Sequence, residues 1–154
     1  SLDLLINDLV SHQRSVGRTV EFAKHGDGPE PMALRNPGLI YSLTNIIDNA
    51  SDFARDKVSI RATWSADQVA LEIRDDGPGF SSSVMDRIGD PYISTRSAID
   101  RVEQSSEGGG LGLGLFISKT LIERSGARII FANVPAPGSG AISRIIWPRD
   151  VFCP

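Results

Sequence analysis

The run Glu107-Gly108-Gly109-Gly110-Leu111-Gly112-Leu113-Gly114-Leu115-Phe116 sets five glycines in the seven positions 108–114 and leads straight into apolar residues. Each glycine inside a helix costs roughly 1 kcal/mol relative to alanine, so a segment needed only as a helix would not be written this way. The plain alternative is a flexible linker. Leu111, Leu113, Leu115 and Ile117 weaken it, because linkers do not carry that much apolar surface. A glycine-rich segment that opens a helix presents free N–H groups and the positive end of the helix dipole to an anion. Without Cβ atoms, those N–H groups can close around phosphates. The run lacks the G-x-x-x-x-G-K-[ST] of a P-loop, and no strand feeds it as a dinucleotide-binding fold demands.

Working outward, the pattern predicts alternating element types. Leu2, Leu5, Ile6 and Leu9 recur at helical spacing, and residues 1–17 read as the last turns of a helix from a preceding element. Residues 18–23 alternate like a strand, and His25 to Pro31 read as a Gly/Pro-rich turn. Asn36-Pro37 marks a helix start, with the helix running to about Ala54. Strands are expected near 57–64 and 68–75, joined at Ser65-Ala66-Asp67. Residues 77–109 read as a long, partly mobile loop holding a short helix. A second strong helix covers about 111–125 and ends at Ser125-Gly126. Strands near 128–133 and 141–147 close the chain, with a turn over 135–140. The order helix, strand, helix, hairpin, loop, helix, hairpin predicts an α+β two-layer sandwich, with helices on one face of a mixed sheet.

The gross numbers bound the function. With 154 residues the chain makes one domain with its own core. A net charge of −3 and the lack of any basic run argue against a nucleic-acid surface. A lone cysteine, Cys153, cannot form an internal disulfide, and a reducing compartment is the easier fit. No apolar run approaches the ~20 residues of a membrane span, and no signal peptide is visible. The chain begins in mid-pattern without an initiator Met and reads as a fragment of something longer.

Two further clusters carry chemistry. On the helix near 36–54, Leu39, Leu43, Ile46, Ile47, Ala50, Phe53 and Ala54 form one apolar face. Opposite them lie Tyr41, Asn45, Asp48, Asn49 and Asp52, with Asn45 and Asn49 four residues apart on one side. This is either an ordinary solvated face or a row of oxygen ligands for Mg²⁺. The second cluster is Arg74-Asp75-Asp76-Gly77-Pro78-Gly79-Phe80, directly after a strand. It is either an ordinary turn or a place where an aspartate at the strand end accepts a hydrogen bond from an exocyclic amine, with a flat base against the glycines.

Together, in this order and spacing, the three clusters resemble the ATP-binding catalytic domain of sensor histidine kinases (the HATPase_c domain). That domain belongs to the GHKL superfamily shared with gyrase, the 90 kDa heat-shock chaperone and MutL. Asn45-Ile-Ile-Asp-Asn49-Ala matches the N box, Asp75-Asp-Gly77-Pro-Gly79 the G1 box and Gly108-Gly109-Gly110-Leu111-Gly112-Leu113 the G2 box. The resemblance covers about residues 18–148. A narrower likeness, to redox-responsive RegB/PrrB-type kinases, rests on Asn49-Ala-Ser-Asp-Phe53-Ala, Ile88-Gly-Asp-Pro91-Tyr92, Thr95-Arg96 and Leu121-Ile-Glu-Arg-Ser-Gly126-Ala.

The resemblance implies a two-layer ATP-binding sandwich (the Bergerat fold) over residues 18–154, with an ATP lid over about 81–109. Residues 1–17 would be the end of a dimerisation-hairpin helix. Asp75 would bind the adenine amino group, Asn45 and Asn49 would act catalytically by holding Mg²⁺, and Gly77 and Gly79 would flank the base. Gly108, Gly109, Gly110, Leu111, Gly112 and Leu113 would surround the phosphates. Asp52, counted among the ATP-binding residues, stands where a basic residue is often found, so phosphate charge would be met by Arg96 and Arg101 of the lid. Ala141 stands where a threonine is often found beside the final glycine, which removes one water-mediated adenine contact.

Implied partners are a dimerisation and histidine-phosphotransfer domain of the same kinase and a response regulator. The full-length protein would be a homodimer, and this domain would lie on the cytoplasmic side of a membrane-anchored sensor, touching neither membrane nor nucleic acid. Hydrolysing relatives carry a glutamate at the position of Asn45, whose amide is no general base, so hydrolysis would be slow. Neither His12 nor His25 sits in an acceptor motif. The alternatives are an anti-sigma-type serine kinase of the same superfamily and a non-catalytic nucleotide-binding adaptor.

Overall fold

The computed structural model describes residues 1–11, 18–33, 36–89 and 111–154. Helix α1 (Leu2–Ser11) precedes strand β1 (Thr19–Gly26), helix α2 (Pro37–Phe53), and the hairpin of β2 (Lys57–Trp64) and β3 (Gln68–Asp75). Helix α3 (Ser82–Gly89), helix α4 (Leu111–Arg124), the hairpin of β4 (Arg128–Asn133) and β5 (Ala141–Pro148), and the short α5 (Arg149–Phe152) follow. The five strands form one sheet in the order β1-β2-β3-β5-β4. Only β1 and β2 pair in parallel, across the α2 crossover, and the other three pairs are antiparallel. The expected mixed sheet is therefore present.

Strand alternation sets the two layers. Val69, Leu71, Ile73 and Asp75 of β3 and Ala141, Ser143, Ile145 and Trp147 of β5 are buried on one face, while Arg74 and Arg144 are exposed on the other. Against the buried face lie Leu43, Ile46 and Ile47 of α2 and Leu115 and Ile122 of α4, all 2% exposed or less. Helix α1 joins the same layer. Its Leu2, Leu5, Ile6 and Leu9 are buried, and the first three pack beside Leu43, Val69, Leu71 and Trp147.

Local signals explain most boundaries. The Asn36 side chain caps α2 by accepting from Gly38 N–H at 2.8 Å, with Pro37 at the first helical position. Ser65 N–H closes the β2–β3 turn on the Gln68 carbonyl. Helix α4 ends at a Gly126 with φ of +91°, as expected for a C-cap glycine. Strand β1 departs from expectation, running to Gly26 where a turn was predicted from His25. Its last two residues pair with Thr63 and Trp64, and that ladder outweighs the local turn composition. Phe53 also departs. Placed on the apolar face of the helix, it is 45% exposed, because α2 ends there.

Candidate functional site

Between α2, α4 and the C-terminal end of β3 lies a narrow cleft. Its floor is Ile73 and Asp75 of β3 with Ala141 and Ser143 of β5. Ile46, Asn49, Ala50 and Phe53 of α2 and Leu115 of α4 form the walls, and Gly79 and Phe80 form a rim. The face is apolar apart from three side chains: Asn49, Asp75 and Ser143.

Asp75 is 5% exposed, yet it sits at a strand end where an apolar residue would pack as well. Its Oδ1 accepts from Gly77 N–H at 2.9 Å and from Ala141 N–H at 3.2 Å. Both bonds fall on the same oxygen, so among the described residues Oδ2 has no donor. Burial pushes the Asp75 carboxyl above its ordinary value, opposed by the two N–H donors, and the neighbouring Asp76 pushes it further up. Two glycines make this geometry possible. Gly77 lies so close to the end of α2 that a Cβ would stand 2.0 Å from the Phe53 carbonyl oxygen. Gly140, at φ +131°, would place a Cβ 1.9 Å from the Asp75 carbonyl oxygen. Any side chain at either position would push the strand end and its carboxylate out of place.

Asn49 faces Asp75 from the helix wall. Its Nδ2 is buried and, like Ser51 Oγ on the same helix, has no hydrogen-bond partner among the described residues. Asn45, one turn earlier, is engaged differently. Its Nδ2 donates to the Gly114 carbonyl at 3.0 Å and to Ser118 Oγ at 3.2 Å, which ties α2 to the first turns of α4. The carbonyl partner requires a donor, so the amide orientation is fixed and Oδ1 faces away from that bond.

The sequence-predicted set is thus partly assembled. Asn49, Asp75 and Gly79 line one cleft. Gly77 buttresses it from behind, and Asn45 holds one wall to another. Asp52 is exposed and lies outside the cleft lining. Arg96, Arg101, Gly108, Gly109 and Gly110 lie outside the described residues, as do the side chains of Leu111 and Leu113. Gly112 is in the first turn of α4, so the glycine run does open a helix.

Sequence reasoning missed four participants. Phe53 was read only as part of the helix's apolar face. Ser143 could have been found, since strand alternation puts it on the face of Ala141. Phe80 packs edge-on against Phe131 at 5.7 Å. Asn133 clasps Phe80 at both backbone groups, accepting from its N–H at 2.7 Å and donating to its carbonyl at 2.9 Å. A pair 53 residues apart leaves no local signal.

Comparison with known proteins agrees with this geometry. Residues 35–151 match the family described as histidine kinase-, DNA gyrase B-, and HSP90-like ATPase. Sensor histidine kinase RegB of Cereibacter sphaeroides is 43% identical over 87% of this chain and 32% of its own length. The chain therefore spans about a third of that relative. Among solved structures, the nucleotide-free catalytic domain of histidine kinase ThkA superposes with a TM-score of 0.67 at 19% identity, over 96% of this chain and 94% of that one. Full-length ShkA in complex with AMPPNP gives 0.67 at 22% identity, over 96% of this chain and 30% of that one. The family match spans most of the chain, the RegB likeness spans nearly all of it, and the fold is shared with kinase catalytic domains. The chain therefore belongs to the histidine kinase-, DNA gyrase B- and HSP90-like ATPase family, as an ATP-binding domain of the sensor-histidine-kinase kind.

Proposed function

We propose that this domain binds ATP in the cleft and presents its γ-phosphate to a histidine on a separate dimerisation domain, for relay to a response regulator. The observation that carries the reading is Asp75, a buried carboxylate with one oxygen held by two N–H groups and the other left without a donor on an apolar floor. That oxygen suits an exocyclic amine, and the walls of Ile46, Ala50, Phe53, Ile73 and Leu115 suit a flat base. Residues 18–154 would form the catalytic domain, with a lid over about 81–109, and residues 1–17 would end a dimerisation-hairpin helix. The whole protein would be a homodimer with this part in the cytoplasm.

The residues present fit Mg²⁺ as one of the groups bound with the nucleotide. Asn49 lines the cleft one helical turn from Asn45, so the donor set on this side of α2 is two neutral amide oxygens, and Mg²⁺ takes few protein oxygens while keeping waters and phosphate oxygens. Asn49 Oδ1 would hold it, with Asn45 Oδ1 next to it. When bound, the ion would neutralise charge on the phosphates during transfer. The chain's own residues do the positioning. Asp75 orients the base and Asn45 fixes α4, so the glycines that open α4 face the phosphates from a set place. Gly79 and Phe80, clasped by Asn133, close the rim. Transfer then requires an incoming histidine nitrogen to bond the γ-phosphorus as its bond to the bridging oxygen breaks, releasing ADP. Asn45 supplies no base to activate water in its place.

Calorimetric titration with a non-hydrolysable ATP analogue, with and without Mg²⁺, tests this. Wild type is expected to bind with Mg²⁺ assistance, and Asp75→Asn to lose binding. An Asp75→Asn variant that binds as well as wild type would overturn the assignment of the base site.

A further inference from the structure

Asn133 spends a whole side chain on the backbone of one distant residue. It ends β4 at an exposed position, where a polar side chain is ordinarily left to water. Instead its Oδ1 accepts from Phe80 N–H at 2.7 Å and its Nδ2 donates to the Phe80 carbonyl at 2.9 Å. One partner is a donor and the other an acceptor, so a single orientation of the amide satisfies both. Two bonds to one residue fix the peptide planes on either side of it, as a neighbouring strand would.

The loop after β3 is shaped to receive that side chain. Gly79, at φ +86°, would place a Cβ 2.8 Å from Asn133 Oδ1 and 3.2 Å from the Gly140 carbonyl oxygen. This glycine therefore serves the approach of the asparagine as well as the turn itself. Asn133 is also paired in register with Ala141, whose N–H holds Asp75. Both ends of the loop are thus tied to one place on the sheet, Asp75 through Ala141 and Phe80 through Asn133.

Phe80 is what the clasp positions. It is half-buried and lines the cleft. Its ring packs edge-on against Phe131, which lies two residues before Asn133 on the same face of β4. Directly after it, Ser81 starts α3, accepting from Met85 N–H with its carbonyl and from Val84 N–H with its hydroxyl. Phe80 is therefore the last residue before a helix, and without Asn133 its backbone would turn with that helix. Asn133 is absent from the cleft lining, so any effect it has there passes through Phe80.

We propose that Asn133 is a positioning residue for the nucleotide: by holding both backbone groups of Phe80, it sets where the Phe80 ring closes the rim of the cleft. The proposal rests on the nucleotide-binding reading above and adds to it a residue outside the three sequence clusters.

The test is a double-mutant cycle read by calorimetric titration with ADP. Wild type, Asn133→Ala, Phe80→Ala and the double variant are compared at a temperature where circular dichroism shows each one folded. Asn133→Ala is expected to bind about five- to tenfold more weakly, the size of one net hydrogen bond. In the Phe80→Ala background the same substitution should change affinity by less than about twofold, because the ring it positions is gone. Unchanged affinity in Asn133→Ala, even with a lowered melting temperature, would overturn the proposal without the Phe80 variants. An equal loss in both backgrounds would also overturn it, since Asn133 would then act independently of the ring. Wild type that fails to bind ADP would overturn the nucleotide reading as well.

Discussion

Asp75 shows how a single buried carboxylate trades stability for recognition. Its pKa is raised by burial, so the folded state holds a proton more tightly than the unfolded chain does. Its contribution to stability is therefore full below the ordinary carboxylate range and lost as pH rises through the raised value. At neutral pH the ionised group is a cost to the empty domain. Asp75→Asn keeps an oxygen for Gly77 and Ala141 N–H and removes the charge, so its melting temperature at pH 7 should exceed wild type by about 2–4 °C, the shift that about 1 kcal/mol gives in a domain of this size. Thermal melts at pH 7 and pH 4 check this, and the gap should narrow at the lower pH. A variant less stable than wild type at pH 7 would show that the carboxylate is not a burden there. Asp75 was legible in the sequence because a strand ends in an acidic residue followed by two glycines. Ser143 was not singled out, although strand alternation already put it on the buried face with Ala141. Only the register places its hydroxyl beside Ile73.

At the scale of elements, the loop Asp75–Phe80 is fastened from three directions, and none of the fasteners is the glycines' flexibility. Asp76 Oδ1 accepts from the N–H groups of Arg55, Asp56 and Lys57 at 2.8, 3.2 and 3.3 Å, so the end of β3 grips the turn between α2 and β2. Burial pulls the Asp76 pKa up, but those N–H donors outweigh it and hold the carboxyl below its ordinary value. That stability is present above the ordinary carboxylate pKa and lost as pH falls through the depressed one. Asp76→Ala should cost about 1–3 kcal/mol at pH 7, measured by urea unfolding, and the difference from wild type should shrink below about pH 3.9. A loss that is the same at both pH values would show that packing, and not the ionised acceptor, carries the effect. The order of elements and most boundaries were readable from periodicity and caps. The fasteners were not, because Asp76, Asn133 and Asn45 each act on backbone groups brought near only by the finished sheet and helix layer. Asn45 is the clearest case. The sequence suggested an oxygen ligand, and the structure adds that its amide nitrogen locks α2 to α4 across 69 residues of chain.

For the whole molecule, the open question is whether α1 belongs to this domain's cooperative unit or is only the end of something that precedes it. The sequence assigns it to a preceding helix, yet its apolar face is spent inside this core. Leu2, Leu5, Ile6 and Leu9 are 6% exposed or less, and Leu4 on the other side is 63% exposed. Polar contacts reinforce the packing. Leu2 N–H donates to Glu30 at 3.0 Å, and Lys24 on β1 bridges Asp3 and Glu30. A helix of 10 residues has little stability alone, so its order comes from those buried contacts. Ile6→Ala should therefore cost the whole domain about 2–5 kcal/mol, while Leu4→Ala should stay within about 0.5 kcal/mol. Denaturant unfolding followed by both tryptophan fluorescence and circular dichroism makes the distinction. Trp147 sits under α1, so a single coincident transition shifted by Ile6→Ala places α1 in the same unit as the nucleotide cleft. A separate early transition, or an Ile6→Ala cost no larger than that of Leu4→Ala, would make α1 an appended segment. If the first outcome holds, any displacement imposed on α1 from outside must either strain the core formed with Leu43 and Trp147 or move with it. Leu43 lies on the same helix as Asn45 and Asn49, so α2 would be the element through which such a displacement reaches the cleft.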